Sequence, residues 1–316
     1  MKQMMYYLML SLVLLFLVMI MVMISVAFFT LLERKIMALF HYRKGPNKVG
    51  LVGVFQPFSD ALKLLGKEVF IPMNSNINLY VISPMFMLIL MLLLWILYPF
   101  FTNEFCLNYS VLYFLCIISV GVYTLFFMGW ASNSVFSMIG SIRSIAQSIS
   151  YEVVFTISLL LIFNMLNILD FSSVGKYLGK GGFILYYIIL LILFLSILAE
   201  INRTPFDLSE SESELVSGFN IEYGAGKFVL IFLSEYGSLM FMMMLMNLMM
   251  MNKSILFFFS YMLMLFLVTW IRISFPRVRY DKLMYLCWFY LLPCLLLNYI
   301  FYLFIKFLID LIILNV

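Results

Sequence analysis

Charge along this chain comes in clusters, and the stretches between them carry none. The first uncharged run, Met4 to Leu32, is 29 residues long and ends abruptly at Glu33-Arg34-Lys35. A helix crosses a bilayer with about 20 apolar residues, so each such run reads as a span. Eight are expected, near 4–32, 79–101, 107–130, 147–169, 183–200, 228–252, 254–271 and 283–305. The third and fourth are hardest to separate, because Phe105 to Ile142 is one run of 38 residues without charge. Trp130-Ala131-Ser132-Asn133-Ser134 is the most turn-like place to break it.

Eight spans put both termini on one side. The opposite side then holds 33–78, 131–146, 201–227 and 272–282, with 14 of the 19 Lys and Arg residues. Lys2, Lys176, Lys180, Lys253 and Lys306 make up the other five. By the positive-inside rule the long loops face inward. In the first of them, Val54, Phe55, Phe58, Leu62, Leu65 and Val69 repeat with a period near 3.6, while Gln56, Asp60, Lys63 and Lys67 take the other face. That pattern predicts an amphipathic helix over about 54–69, with Pro57 in its first turn. Two readings stand: a connector helix, or an interfacial helix beside a lateral opening for a lipid-soluble molecule.

Composition sharpens the class. The chain is 66% hydrophobic and 11% charged over 316 residues, against roughly 45–50% and about 25% for a soluble domain. A soluble enzyme is excluded. The expectation is an all-α polytopic membrane protein, residues 1–316 forming one transmembrane domain with no polar linker. The first run lacks a small-residue cleavage site, so it is expected to be a retained span rather than a signal peptide.

The inventory also limits the chemistry. One histidine, His41, excludes a bis-histidine haem and any His-rich metal site. Cys106, Cys116, Cys287 and Cys294 lie in apolar stretches without C-x-x-C spacing and read as buried thiols. No phosphate-binding loop motif is present, and Gly179, Gly181 and Gly182 lack a strand–helix context. If this chain serves redox chemistry, partners carry the electrons.

What remains is acid. Glu152 and Glu235 lie inside expected spans, and Glu33 and Glu200 where spans meet the inner surface. A charge at mid-membrane costs roughly 2.5–3.5 kcal/mol. Such a residue faces a polar cavity, pairs, or is protonated, so Glu152 and Glu235 are either helix-bridging neutral acids or proton carriers. The loop 201–227 adds Asp207, Glu210, Glu212, Glu214 and Glu222, with Arg203 and Lys227 as its only cations. Crowded carboxylates raise one another's proton affinity. A solvated acidic loop is the plainer reading; Phe206, Leu208, Leu215, Val216 and Phe219 favour a packed one.

These residues carry a resemblance. LLERKIMALFHYRKGPNKVG (31–50), SISYE (148–152), AEINRTPFDLSESESELVSGFNIEY (199–223) and RVRYDKLM (277–284) resemble the subunit 1 family of the mitochondrial NADH–ubiquinone oxidoreductase. That family is the core membrane subunit of respiratory complex I, and its bacterial counterpart is the H subunit. The resemblance spans nearly the whole chain and implies a multi-pass protein of the mitochondrial inner membrane. Long loops would face the matrix and both termini the intermembrane space.

It further implies a subunit that forms the ubiquinone access channel and the start of a carboxylate pathway, coupling quinone reduction to proton translocation. Glu33, Arg34, Asp60, Arg203, Asp207, Glu210, Glu212 and Glu214 would line the quinone cavity. Glu152, Glu200, Glu222 and Glu235 would open the proton pathway, with Arg143, Arg277 and Arg279 as supporting cations. Ubiquinone would be the substrate, with NADH, flavin and iron–sulfur clusters on partner subunits. Those partners would be other membrane-arm subunits and the quinone-reducing matrix-arm subunits, within the lipid bilayer and with no nucleic acid. Two positions depart from the family pattern: Ile201, where Thr is common, and Ser211, where Gly or Ala separates the glutamates. The alternative is a proton or cation antiporter, against which stand the lack of an internal repeat and of a mid-span lysine.

Overall fold

A computed structural model describes residues 2–98, 107–178, 187–207, 218–250 and 255–314. Among these the secondary structure is helical: α1 (Lys2–Phe40), α2 (Gln56–Leu65), α3 (Ile77–Trp95), α4 (Ser110–Ser132), α5 (Val135–Leu166), α6 (Phe171–Leu178), α7 (Tyr187–Glu200), α8 (Ala225–Met250) and α9 (Ile255–Ser274). The last helical stretch is α10 (Tyr280–Tyr285), a π turn (Leu286–Leu291) and α11 (Leu292–Leu314). Seven described stretches are long and apolar enough to cross a membrane, and Tyr187–Glu200 is a shorter apolar helix. The chain is therefore an all-α polytopic membrane protein.

α8 sits at the centre. From Leu239 to Met249 every residue is buried, as expected of a helix that is apolar on all sides. Its methionines, Met240, Met242, Met243, Met244 and Met246, fill the irregular space between neighbours, a task suited to an unbranched thioether. α1, α3 and α9 pack on it. The outer helices leave Phe16 and Met21 on α1, Phe259 on α9 and Leu297 and Phe301 on α11 exposed. In a soluble fold such a surface would aggregate; in a bilayer it is the lipid-facing side.

Helix boundaries differ from the sequence expectation at three places. α1 continues through Glu33-Arg34-Lys35 to Phe40, because Glu33 turns into the bundle and the helix has no reason to stop. α5 begins at Val135, so Arg143 is within a helix and not in the loop expected over 131–146. The break between α4 and α5 falls at Asn133, in a left-handed conformation (φ 51°) that asparagine tolerates better than most residues. The described helix in the first inner loop spans 56–65, shorter than the expected 54–69, with Pro57 in its first turn.

Small residues let the polar elements close on one another. On α5 Ser137, Ser141, Ser144 and Ser148 are buried, and each hydroxyl donates to a carbonyl three residues earlier. Ser137 also meets α4, its hydroxyl lying 2.6 Å from Ser132 Oγ and 3.2 Å from Gly129 O. Gly140 approaches the turn Gly218–Asn220 so closely that an added Cβ would lie 2.9 Å from Gly218 Cα. The π turn has a local cause. Pro293 cannot donate a backbone hydrogen bond, and its ring presses on the carbonyl four residues back, Phe289, inside that turn. Around the turn, Tyr151 Oη donates to Leu283 O at 3.0 Å and Cys287 Sγ to Ser150 O at 3.2 Å, tying the last span to α5. The cysteines differ in setting: Cys287 is buried, but Cys116 is exposed on α4. A thiol is apolar enough to face lipid, which is why its apolar context did not imply burial.

Candidate functional site

Three polar clusters lie within or at the end of the bundle. The first is built on Glu33, which is 5% exposed. Arg272 Nη1 from α9 donates to Glu33 Oε1, and Tyr236 Oη from α8 donates to Oε2 at 2.6 Å. Arg203, in the turn after α7, lies over the Tyr236 ring, 4.1 Å from its centroid, and donates from Nη1 to the phenol oxygen at 3.3 Å. Phe29 and Phe232 flank the same ring. A buried carboxylate is thus held by one cation and one hydroxyl, with a second cation stacked behind the hydroxyl.

The second cluster begins one residue earlier on α8. Successive helical residues are rotated by about 100°, so Tyr236 and Glu235 face different neighbours. Glu235 lines a cavity of about 60 Å³ with Glu200, Asn202, Arg203 and Ser238. An adjoining, more apolar cavity of about 110 Å³ also includes Glu200, with Thr124, Ser148, Ser234 and Ser238. Glu200 Oε2 and Asn202 Oδ1 are buried with no hydrogen-bond partner among the described residues. Glu152, on α5, interacts electrostatically with Glu200. Gln147 fixes the turn that carries this group: its Nε2 donates to Ala199 O at 2.9 Å and Phe206 O at 2.8 Å.

The third cluster is at the other end of the same loop. Tyr80 stacks on Tyr223 with centroids 4.4 Å apart, and Lys227 Nζ lies 4.0 Å from the centroid of Tyr80. Tyr80 Oη donates to the backbone carbonyl of Glu222, placing that residue beside the pair. Burial pushes the Tyr223 phenol above its usual range; the hydrogen bond with Ser83 opposes this, and the neighbouring Tyr80 phenol adds to it. The phenol therefore stays protonated and donates to Met128 O at 3.2 Å.

A family model described as NADH dehydrogenase matches residues 13–303. The chain belongs to the NADH dehydrogenase family. Among curated relatives, it is 48% identical to NADH-ubiquinone oxidoreductase chain 1 of Aedes aegypti, over 93% of this chain and 95% of that one. It is 49% identical to the protein of that name in Locusta migratoria, over 95% and 96%. For Mytilus edulis the figures are 41%, 87% and 90%.

In this family member the sequence-predicted residues fall into groups. Glu33 and Arg203 meet in the first cluster; Glu200 and Glu235 line the second, with Glu152 in electrostatic contact with Glu200; Glu222 belongs to the third. Arg34 pairs with Asp60 at 2.5 Å, joining α1 to α2, and Gln56 Nε2 also donates to Asp60 at 2.9 Å. Asp207 pairs with Arg277 at 3.2 Å, beside a backbone bond from Val278 N to Pro205 O at 2.9 Å. Arg279 pairs with Asp281 at the surface, 3.0 Å apart. Arg143 and Glu152, nine residues apart on α5, point to opposite sides of that helix. Glu210, Glu212 and Glu214 lie outside the described residues.

Sequence reasoning missed Tyr236, Gln147, Tyr80 and Tyr223, and counted Arg272 only as an inner-side cation. Tyrosines are frequent here, 20 in all, so none stood out. Arg272, at the end of an apolar run, was the available signal, since a cation there needs an acid within reach.

Proposed function

We propose that this chain is the membrane subunit of an NADH–ubiquinone oxidoreductase of the mitochondrial inner membrane, in which a ubiquinone reaches its point of reduction and a carboxylate pathway begins. The relatives' shared name supports the oxidoreductase and its substrate. One observation carries the finer reading: a single turn of α8 presents Tyr236 to the buried Glu33–Arg272–Arg203 cluster and Glu235 to the cavity shared with Glu200.

Reducing a quinone to a quinol takes two electrons and two protons. In this reading the electrons arrive from iron–sulfur chemistry on partner subunits, fed by NADH and flavin there, and this chain supplies the route and the charges. Glu33, Arg34, Asp60, Arg203 and Asp207, with Glu210, Glu212 and Glu214, line the quinone's path. The ion pairs of Glu33 with Arg272, Arg34 with Asp60 and Asp207 with Arg277 give that path a polar lining for the head group. Glu152, Glu200, Glu222 and Glu235 pass the consequence onward; between Glu200 and Glu235 a shared cavity of about 60 Å³ has room for a linking water.

The test is Glu235→Gln in the assembled enzyme. Glutamine keeps the volume and the hydrogen bonding but cannot release a proton. Turnover with a soluble quinone and protons moved per electron are measured together. Normal assembly with most energy-conserving quinone reduction lost is expected. A mutant that pumps at the wild-type ratio makes Glu235 a purely structural acid.

A further inference from the structure

A fourth polar feature belongs to none of these clusters. At the end of α1 a cavity of about 420 Å³ is lined by Arg34, Met37, His41, Arg43, Lys44, Gly45 and Pro46. Its backbone is fixed. Tyr42 adopts a left-handed conformation (φ 53°), and Arg43 N donates back to Ala38 O at 2.9 Å, closing the helix as a left-handed cap does. The chain then doubles back: an added Cβ on Gly45 would lie 3.2 Å from Lys35 Cα. Lys35 itself is engaged with Val52 O and Arg34 with Asp60. Arg43, Lys44 and His41 are exposed and make no side-chain hydrogen bond or ion pair among the described residues.

Length decides what these side chains meet. Met9–Phe40 has 32 residues, about 48 Å of helix, against a hydrocarbon core of about 30 Å. The uncharged run stops at Leu32. The last two turns, 33–40, therefore stand in the head-group layer, and the cavity opens there, flanked by exposed Leu39, Phe40 and Tyr42. The helix end contributes roughly half a negative charge, which two free unit cations outweigh.

We propose that this cavity binds the phosphate of an acidic phospholipid, with Arg43 and Lys44 as its ligands, His41 at its wall and the acyl chains running along the exposed face of α1. The proposal rests on the membrane placement of α1 and not on the quinone reading, so either can fail alone. Its test uses the native assembly in vesicles doped with photoreactive phosphatidylglycerol or, in parallel, photoreactive phosphatidylcholine, followed by peptide mapping.

Labelling within 36–46 by the acidic probe, and weakly by the zwitterionic one, is expected. Each basic residue beside an acidic surface is worth about 1 kcal/mol, so Arg43→Gln with Lys44→Gln should reduce acidic-lipid labelling about 30-fold. The charge-retaining pair Arg43→Lys with Lys44→Arg should keep it, and serves as the comparison where the neutral pair assembles poorly. Equal labelling by both probes, or labelling undiminished in the neutral pair, overturns the proposal. So does displacement by inorganic phosphate alone, which would make this a site for free anions. Absence of labelling in the intact assembly also overturns it, because a protein partner would then cover the cavity.

Discussion

Arg272→Met isolates the energetics of the Glu33 cluster. Methionine approximates the length of the side chain and removes its charge. The Glu33 carboxylate, 5% exposed, then keeps the Tyr236 hydroxyl as its one side-chain donor among the described residues. Removing one partner of a buried pair costs about 3–5 kcal/mol. The Arg272 side chain is 33% exposed, so water reaches that side and the lower end, about 3 kcal/mol, is expected. Glu33→Gln alone leaves an arginine that solvent can serve and should cost nearer 1 kcal/mol. The double variant buries no charge, so its cost should fall well short of the sum, by about 2 kcal/mol. Hydrogen exchange of the assembled protein, read by mass spectrometry on peptides covering α1 and α9, reports local opening directly. Exchange in 29–40 should quicken roughly 100-fold in Arg272→Met and recover much of that in the double variant. Additive effects, or a single variant indistinguishable from wild type, would refute the pairing argument.

Other sites yield sharper or simpler outcomes. Gln147→Leu removes the side-chain donor to the carbonyls of Ala199 and Phe206, leaving Ala199 O with only the Asn202 N–H among the described residues; at about 1–3 kcal/mol for an unserved buried acceptor, it should quicken limited proteolysis within 201–207. Gly140→Val forces α5 off the Gly218–Asn220 turn; loss of assembly is expected on native gels, while Gly121→Ala, with nothing within 4 Å of the added carbon, should assemble normally. Glu210→Gln with Glu212→Gln should assemble and slow quinone reduction, and unchanged turnover in the assembled double mutant would remove both acids from the quinone's path. A photoreactive long-tailed quinone should label residues 4–70 of this chain; labelling confined to other subunits would move the entrance elsewhere.

The fold was largely legible because its dominant signal, uncharged length, is one-dimensional. A span announces itself wherever about 20 apolar residues run together, and the α4–α5 break was readable from the asparagine and serines at 132–134. Helix ends were less legible. Charge at Glu33-Arg34-Lys35 marks where hydrocarbon ends, but a helix ends only where its backbone bonds find better partners, seven residues later at Tyr42. The acids were legible because each is costly in an apolar run. Their partners were not. Glu33 meets Tyr236 and Arg272 across 203 and 239 residues of chain, and no local spacing encodes such pairings. Gln147 was invisible for another reason: a neutral amide among serines carries no signal until the two carbonyls it serves are seen.

The turn of α8 that bears Glu235 and Tyr236 limits how the two clusters can communicate. Met91 Sδ would lie 2.6 Å from a Cβ added at Gly237, and Trp95 Nε1 donates to the Gly237 carbonyl at 3.2 Å. α3 therefore grips α8 immediately after these two residues, and a sliding or rotating α8 would break both contacts. Electrostatics needs no such movement. Two unit charges about 10 Å apart, at an effective dielectric near 20, interact by about 1.7 kcal/mol. That changes the balance between the protonated and charged forms of a neighbour more than tenfold. On the proposed reading, a change of charge beside Glu33 would reach the Glu200–Glu235 cavity at such a separation through a helix that stays still. Tyr236→Phe separates the two modes, since it keeps the ring, its stacking with Arg203 and the helix packing, and removes only the hydroxyl joining Glu33 to Arg203. Under the electrostatic mode it should lower the protons moved per electron while exchange protection across α8 remains at the wild-type level. Loss of protection along α8 in that variant would show that the helix moves, and that coupling is mechanical.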